Sequence, residues 1–167
     1  MANHTKLKPI ILKWEGGYTD KLNDGYACTN KGVTIATYQA YYGKSKTCED
    51  LKKITDEQWE HIFKHGYWDK WKADRIECQS IANLVVDWVW ASGKYGIIYP
   101  QRVLGVTADG IVGEKTLAAI NNHPNKKELF EKLWKRREEH FRSLATGARK
   151  AFLKGWLNRL NDFKWIG

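Results

Sequence analysis

Apolar residues recur at helical spacing along most of the chain, and the pattern predicts an all-α protein. Leu7, Ile10, Ile11 and Trp14 make one face of a first helix that stops against Gly16-Gly17. The stretch 16–32 is too rich in glycine to prolong that helix and is expected to be a loop that turns the chain back. A second helix is expected over 34–42, closed by Gly43. The Thr55-x-x-Gln58 pattern reads as a capping box opening a third, with Trp59, Ile62 and Phe63 inside it and Tyr67, Trp68 and Trp71 at its end. Over 81–90 the residues are apolar all round, which predicts a central buried helix with Asp87 as its one charge. A charge buried there needs a partner: an arginine, a cluster of backbone groups, or substrate.

Gly93 and Gly96 are expected to break the chain, so that 1–96 forms one region and 97–167 a smaller helical lobe packed closely on it. Asp109-Gly110-Ile111-Val112-Gly113 reads as a turn, and Thr116 as the start of a helix carrying Leu117 and Ile120. Two long helices are predicted to finish the chain. One carries the stripe Leu129, Phe130, Leu133, Trp134 and Phe141, the other Ala151, Phe152, Trp156, Leu160 and Phe163. Internal repeats and low-complexity linkers are absent, so the two regions are not expected to move independently.

With 43% hydrophobic residues and nine tryptophans in 167 residues, the chain has ample material for a core, which excludes a disordered protein. Its formal charge of +9 favours polyanionic partners: nucleic acid, an anionic lipid surface or an acidic cell wall. The basic residues fall in short runs, Lys126-Lys127, Lys135-Arg136-Arg137 and Arg149-Lys150, that read as solvated helix faces and not as a recognition motif, so no nucleic-acid partner is expected. Cys28, Cys48 and Cys78 include no Cys-x-x-Cys pair and no histidine at metal-ligand spacing, so no metal or other cofactor is expected. Their odd number argues against a disulfide framework, and Cys28 reads as a small semi-buried thiol. The N-terminal apolar run Ile10-Ile11-Leu12 is too short for a signal-peptide core or a membrane span, which predicts synthesis in the cytoplasm without stable membrane insertion.

The candidate chemistry centres on Glu15. It lies four residues past Ile11 and eight past Leu7, at the rim of the apolar face, where the charged form of a carboxylate is disfavoured and a general acid can be held ready. Asp24, Thr29 and Asn30 follow beyond the glycines, so a returning loop can gather an acid, a second carboxylate and a hydroxyl around one substrate group. The order Glu15, Asp24, Thr29 is similar to the Glu, Asp, Thr arrangement of phage-type lysozymes.

Glu15-Gly16-Gly17-Tyr18, Asn23-Asp24 and Thr29-Asn30-Lys31-Gly32-Val33-Thr34 together resemble the opening motif of glycoside hydrolase family 108, the secretion-activator and phage-endolysin muramidases. Further landmarks agree in order: Tyr67-Trp68-Asp69, the Asp87 to Gly93 helix, Leu104-Gly105-Val106 with Asp109 to Leu117, and Gly155-Trp156-Leu157-Asn158-Arg159. Two departures stand out. The family's Asp-Pro-Gly-Gly-Ala-Thr is Asp24-Gly25-Tyr26-Ala27-Cys28-Thr29 here, and its common Asn is Ala91.

The resemblance implies a lysozyme-like helical fold, with a predicted peptidoglycan-binding lobe after the catalytic region. It implies an N-acetylmuramidase whose catalytic residues are Glu15, Asp24 and Thr29. Substrate contacts are expected from Tyr18, Tyr26, Asn30, Tyr38, Tyr67, Trp68, Asp87 and Ser92. The bulk of Tyr26 and Cys28 predicts that Asp24 stands far enough from Glu15 to act through a water, at roughly 6.5–9.5 Å, which would invert the anomeric centre. The expected partner is peptidoglycan, with a holin releasing a monomeric enzyme from the cytoplasm to the wall in lysis or secretion. A lytic transglycosylase, which needs no second carboxylate, and a non-catalytic wall-binding accessory protein are the alternatives.

Overall fold

The computed structural model describes residues 1–20 and 28–167. Among these residues the regular structure is nine α-helices, short 3-10 and π turns, and one two-stranded hairpin, so the chain is all-α as its periodicity predicts. It divides into two compact units, Leu7–Gly66 and Met1–Lys6 with Tyr67–Gly167.

The first unit holds most of α1 (His4–Trp14), the hairpin β1 (Thr29–Asn30) and β2 (Val33–Thr34), α2 (Ile35–Tyr42), α3 (Cys48–Lys52) and α4 (Asp56–Phe63). Leu7 and Ile11 of α1 are fully buried, with Leu51, Trp59, Ile62 and Phe63. Three Thr caps space the helices. The Thr34 hydroxyl accepts the Thr37 N–H at the start of α2, and Thr47 with Asp50 and Thr55 with Gln58 form reciprocal capping boxes on α3 and α4. Gly43, at φ 119°, ends α2.

The hairpin lies where sequence predicts only loop. Its register pairs Thr29 with Thr34 and Asn30 with Val33, which leaves Lys31 and Gly32 as the turn. Both adopt positive φ, 52° and 81°, the signature of a type I′ turn, whose twist matches that of the strands it joins. Cys28, which precedes β1, is disulfide-bonded to Cys48 at the first turn of α3, across a sequence separation of 20 and a Cα–Cα distance of 6.0 Å. This corrects the reading of Cys28 as a free thiol. Three cysteines allow one bridge and one remainder, and the remainder is the buried Cys78. Cross-linking a loop of this length stabilises a fold by about 3 kcal/mol.

In the second unit α5 (Gln79–Ser92) is buried continuously from Gln79 to Val89 and packs on α6 (Tyr95–Leu104) and α8 (Lys126–Leu144). Asp87 finds two partners. Arg137 donates to its Oδ2 (2.9 Å), and Arg159 donates to Oδ1 (2.6 Å) and Oδ2 (3.2 Å). Arg137, expected within a solvated basic run, is instead fully buried, and its guanidinium lies over the rings of Phe141 (5.0 Å) and Phe163 (5.7 Å). Among the described residues no acceptor meets its Nε or Nη1, so the aromatic faces supply the remaining electrostatic contact.

Gly93, at φ 59°, ends α5 as expected, but Gly96 does not break the chain. It lies inside α6 and is glycine because a Cβ there would fall on the backbone of Trp88 and Val89. The boundary expected at residue 96 therefore falls inside α6, which packs on α5. The 109–113 turn is built around the buried Gln101. The Gln101 amide donates to the Ile111 carbonyl (2.9 Å) and to Asp109 Oδ1 (3.2 Å), and its Oε1 accepts the Gly110 N–H (2.9 Å). The Ile111 N–H and then the Gln101 side chain hold the Asp109 carboxyl below its ordinary pKa.

α7 (Glu114–Asn121) starts two residues before Thr116. The last long helix is shorter than expected: a 3-10 stretch Gly147–Phe152 precedes α9 (Leu153–Leu160), and Ala151 and Phe152 are exposed instead of buried.

Candidate active site

Glu15 follows the last residue of α1, its N–H still donating to the Ile11 carbonyl (2.9 Å). Its half-buried carboxylate packs onto the hairpin turn: a Cβ built on Gly32 would sit 2.8 Å from Cγ, Cδ and Oε2 of Glu15. No side chain fits between turn and carboxylate. Gly32 is thus required twice, by its left-handed φ and by this approach.

The turn is held from several directions. Lys31 N–H donates to the Gly16 carbonyl (3.1 Å), and the Lys31 carbonyl accepts from the Trp59 indole (2.9 Å). Thr29 and Thr19 exchange both backbone hydrogen bonds at 2.8 Å. Asn30 donates its amide to the carbonyls of Leu51 (3.0 Å) and Lys52 (3.3 Å) at the end of α3. With the Cys28–Cys48 bridge, these contacts fix the surface against which Glu15 rests.

The sequence-derived candidates separate accordingly. Glu15, Thr29 and Tyr18 belong to the first unit and are half-buried, with the Lys52 ammonium 4.8 Å above the Tyr18 ring. Asn30 points to the opposite face of β1 from Thr29, is 5% exposed, and spends its amide on α3. Tyr38 is also buried, its hydroxyl donating to Gln58 Oε1 (3.0 Å). Asp24 and Tyr26 lie outside the described residues, and the separation of the two carboxylates with them.

In the second unit Trp68 is fully buried, its indole donating to Asp74 (2.8 Å), and Asp87 is committed to its two arginines. Tyr67 and Ser92 are half-buried, and the Tyr67 ring centroid lies 4.5 Å from that of Trp90. No group of three or more His, Cys, Asp or Glu able to hold a metal ion occurs among the described residues.

Gly32 is the residue that sequence reasoning passed over. The signal was present, since Lys31-Gly32 lies as a glycine-bearing turn pair between the β-branched Thr29 and Val33-Thr34. Gly32→Ala should lower hydrolysis of peptidoglycan by at least about tenfold, because a small displacement of a reacting group is costly, while the far-ultraviolet circular dichroism stays that of a folded protein. A variant that turns over at the parent rate would show that the contact does not position Glu15.

A helical chain with a carboxylate at a helix end, seated on a glycine turn, defines a lysozyme-like class. Residues 9–93 match the family model Glycosyl hydrolase 108, and residues 95–161 match the Predicted Peptidoglycan domain. The chain belongs to the glycosyl hydrolase 108 family. It is therefore a glycoside hydrolase with peptidoglycan as its partner. Among solved structures it is similar to the Structure of Brucella abortus SagA, at 29% identity and a TM-score of 0.81, covering 95% of this chain and 90% of that one. A search of the curated proteins finds no match. The two matched segments meet beside residue 94, whereas the two compact units part between residues 6 and 7 and between residues 66 and 67.

Proposed function

We propose that the protein is an N-acetylmuramidase that hydrolyses the β-1,4 bond between N-acetylmuramic acid and N-acetylglucosamine, with Glu15 protonating the glycosidic oxygen as the bond breaks. The observation that carries this reading is the seat of the Glu15 carboxylate against Gly32, on a turn tied down by backbone bonds, an indole and a disulfide. A rigid seat keeps the acid in one geometry through the reaction.

Asp24 would stabilise positive charge at the anomeric carbon or steer a water, with Thr29 orienting either. If the loop holds Asp24 at the wider carboxylate spacing, water attacks the face opposite the leaving group and the configuration inverts. Tyr18, half-buried in the same unit as Glu15, would meet a sugar on the face that Lys52 does not cover.

The enzyme would act as a monomer on the wall in the periplasm after holin-type release, in lysis or in secretion. The Cys28–Cys48 bridge supports an oxidising site of action, since such bonds persist outside the reducing cytoplasm. The formal charge of +9 would hold the enzyme on an acidic wall.

Mass spectrometry of purified peptidoglycan after digestion tests the reaction. Hydrolysis should leave reducing muramic ends, and 1,6-anhydromuramic ends would make the protein a transglycosylase instead.

A further inference from the structure

A cavity of about 370 Å³ opens wholly within the second unit, between the end of α5 (Ala91, Ser92), α6 (Tyr95, Tyr99) and α8 (His140, Ser143). Two features make it a built site. The first is a fixed aromatic base. Tyr99 lies within ring-contact distance of Trp88 (6.1 Å) and His140 (4.6 Å), and the Arg136 guanidinium sits 4.1 Å over its face. Tyr95 stacks on that base with centroids 5.8 Å apart and rings inclined by 26°, yet remains 47% exposed. A large ring held rigid at a cavity mouth is a ready stacking surface with little ordering entropy left to lose.

The second feature is the lining's polarity without charge. Trp88 Nε1 donates to His140 Nδ1 (3.1 Å), which leaves Nε2 as the proton-bearing nitrogen of a neutral imidazole. Burial, followed by the charges of Arg136 and Arg137, pushes the His140 pKa down and keeps the ring neutral. The nearby cations are turned onto the tyrosine faces: Lys94 over Tyr95 at 5.9 Å, and Arg102 over Tyr99 at 5.4 Å from the ring centroid. The Ser143 hydroxyl donates to the His140 carbonyl (2.6 Å) and so is left to accept. What faces a ligand is therefore an aromatic plane with uncharged hydroxyl and imidazole groups, the set that suits a neutral sugar better than an acidic peptide.

We propose that this cavity is a sugar subsite that takes one N-acetylhexosamine of a glycan strand. Tyr95 packs on the pyranose with the exposed Lys94 chain displaced from its ring, and Ser92, Ser143 and His140 hydrogen-bond the sugar's hydroxyl and acetamide groups. The subsite rests on the reading of the protein as a hydrolase of peptidoglycan glycan, and it gives the predicted peptidoglycan domain a specific contact besides its charge.

Full-length Glu15→Gln protein, titrated with the β-1,4-linked N-acetylglucosamine tetramer, tests it by NMR. The backbone amides of Ala91, Ser92, Tyr95 and Ser143 should shift in a saturable way. Tyr95→Ala in the same background should weaken the Kd read from the remaining three amides by about tenfold, and Tyr95→Phe should restore it. Silence of these amides at millimolar glycan overturns the subsite, as does an unchanged Kd in a folded Tyr95→Ala protein. Shifts evoked by an acidic stem tetrapeptide and not by the glycan overturn it as well. Hydrolysis of peptidoglycan by the wild-type chain is read separately. Clearing without the shifts refutes the subsite alone, and shifts without clearing refute the hydrolase reading alone.

Discussion

Glu15→Gln is expected to fold like the wild-type chain and to lose about 10²–10⁴-fold of its rate on peptidoglycan, the range a positioned general acid supplies. The substitution keeps the size of the side chain, so the packing on Gly32 is preserved and the proton alone is lost. The loss should appear in kcat, because the proton is delivered as the bond breaks and not on binding. A folded Glu15→Gln protein that clears turbid cell-wall suspensions at the parent rate would remove Glu15 from the chemistry. It would leave Asp24 and Thr29 without a partner acid.

The second large effect concerns stability. Asp87→Ala is expected to destabilise the protein by about 3–5 kcal/mol, because the fully buried Arg137 would lose the carboxylate that it faces. Total stabilities of ordinary domains are about 5–15 kcal/mol, so such a variant would be unfolded in part. Urea unfolding followed by tryptophan fluorescence measures the change. A further substitution, Arg137→Met in the Asp87→Ala background, should restore part of the loss, since it replaces the buried cation beside Phe141 and Phe163 with an unbranched apolar chain. A midpoint within experimental error of wild type for Asp87→Ala alone would mean that the ion triad adds nothing to the fold.

What the sequence discloses and what it hides follow from how local the cause of each feature is. The Thr55-x-x-Gln58 box opens α4 as read, because both partners lie within one turn. Thr47 and Asp50 make the same device on α3, but only five residues follow it, too few to show a period. The hairpin strands are two residues each, so alternation cannot reveal them, and only the turn residues give them away. Gly96 was misleading for a different reason: its cause lies seven residues upstream in sequence, on the neighbouring helix. Similarly, the charge of Arg137 predicts exposure until Asp87, 50 residues away, is known to face it.

The candidate site divides along the same line. The place of Glu15 at the end of α1 was legible from the apolar face it closes. The burial of Asn30, Tyr38 and Trp68 was not, since polar or aromatic residues reveal their partners only in three dimensions. The Cys28–Cys48 bridge was hidden because a spacing of 20 carries no sign of pairing.

The packing of Glu15 on Gly32 bears on how relatives and engineered variants are to be sorted. A chain that keeps the glutamate but carries any side chain at the turn position cannot seat its acid in this place, whatever the rest of its sequence says. The unit to look for is the pair, one residue at a helix end and one hydrogen atom on a turn seventeen positions later. With Glu15 as the proposed acid, filling that position would silence the enzyme while leaving every charged and polar group of its surface in place, a route to wall-binding reagents that do not cut.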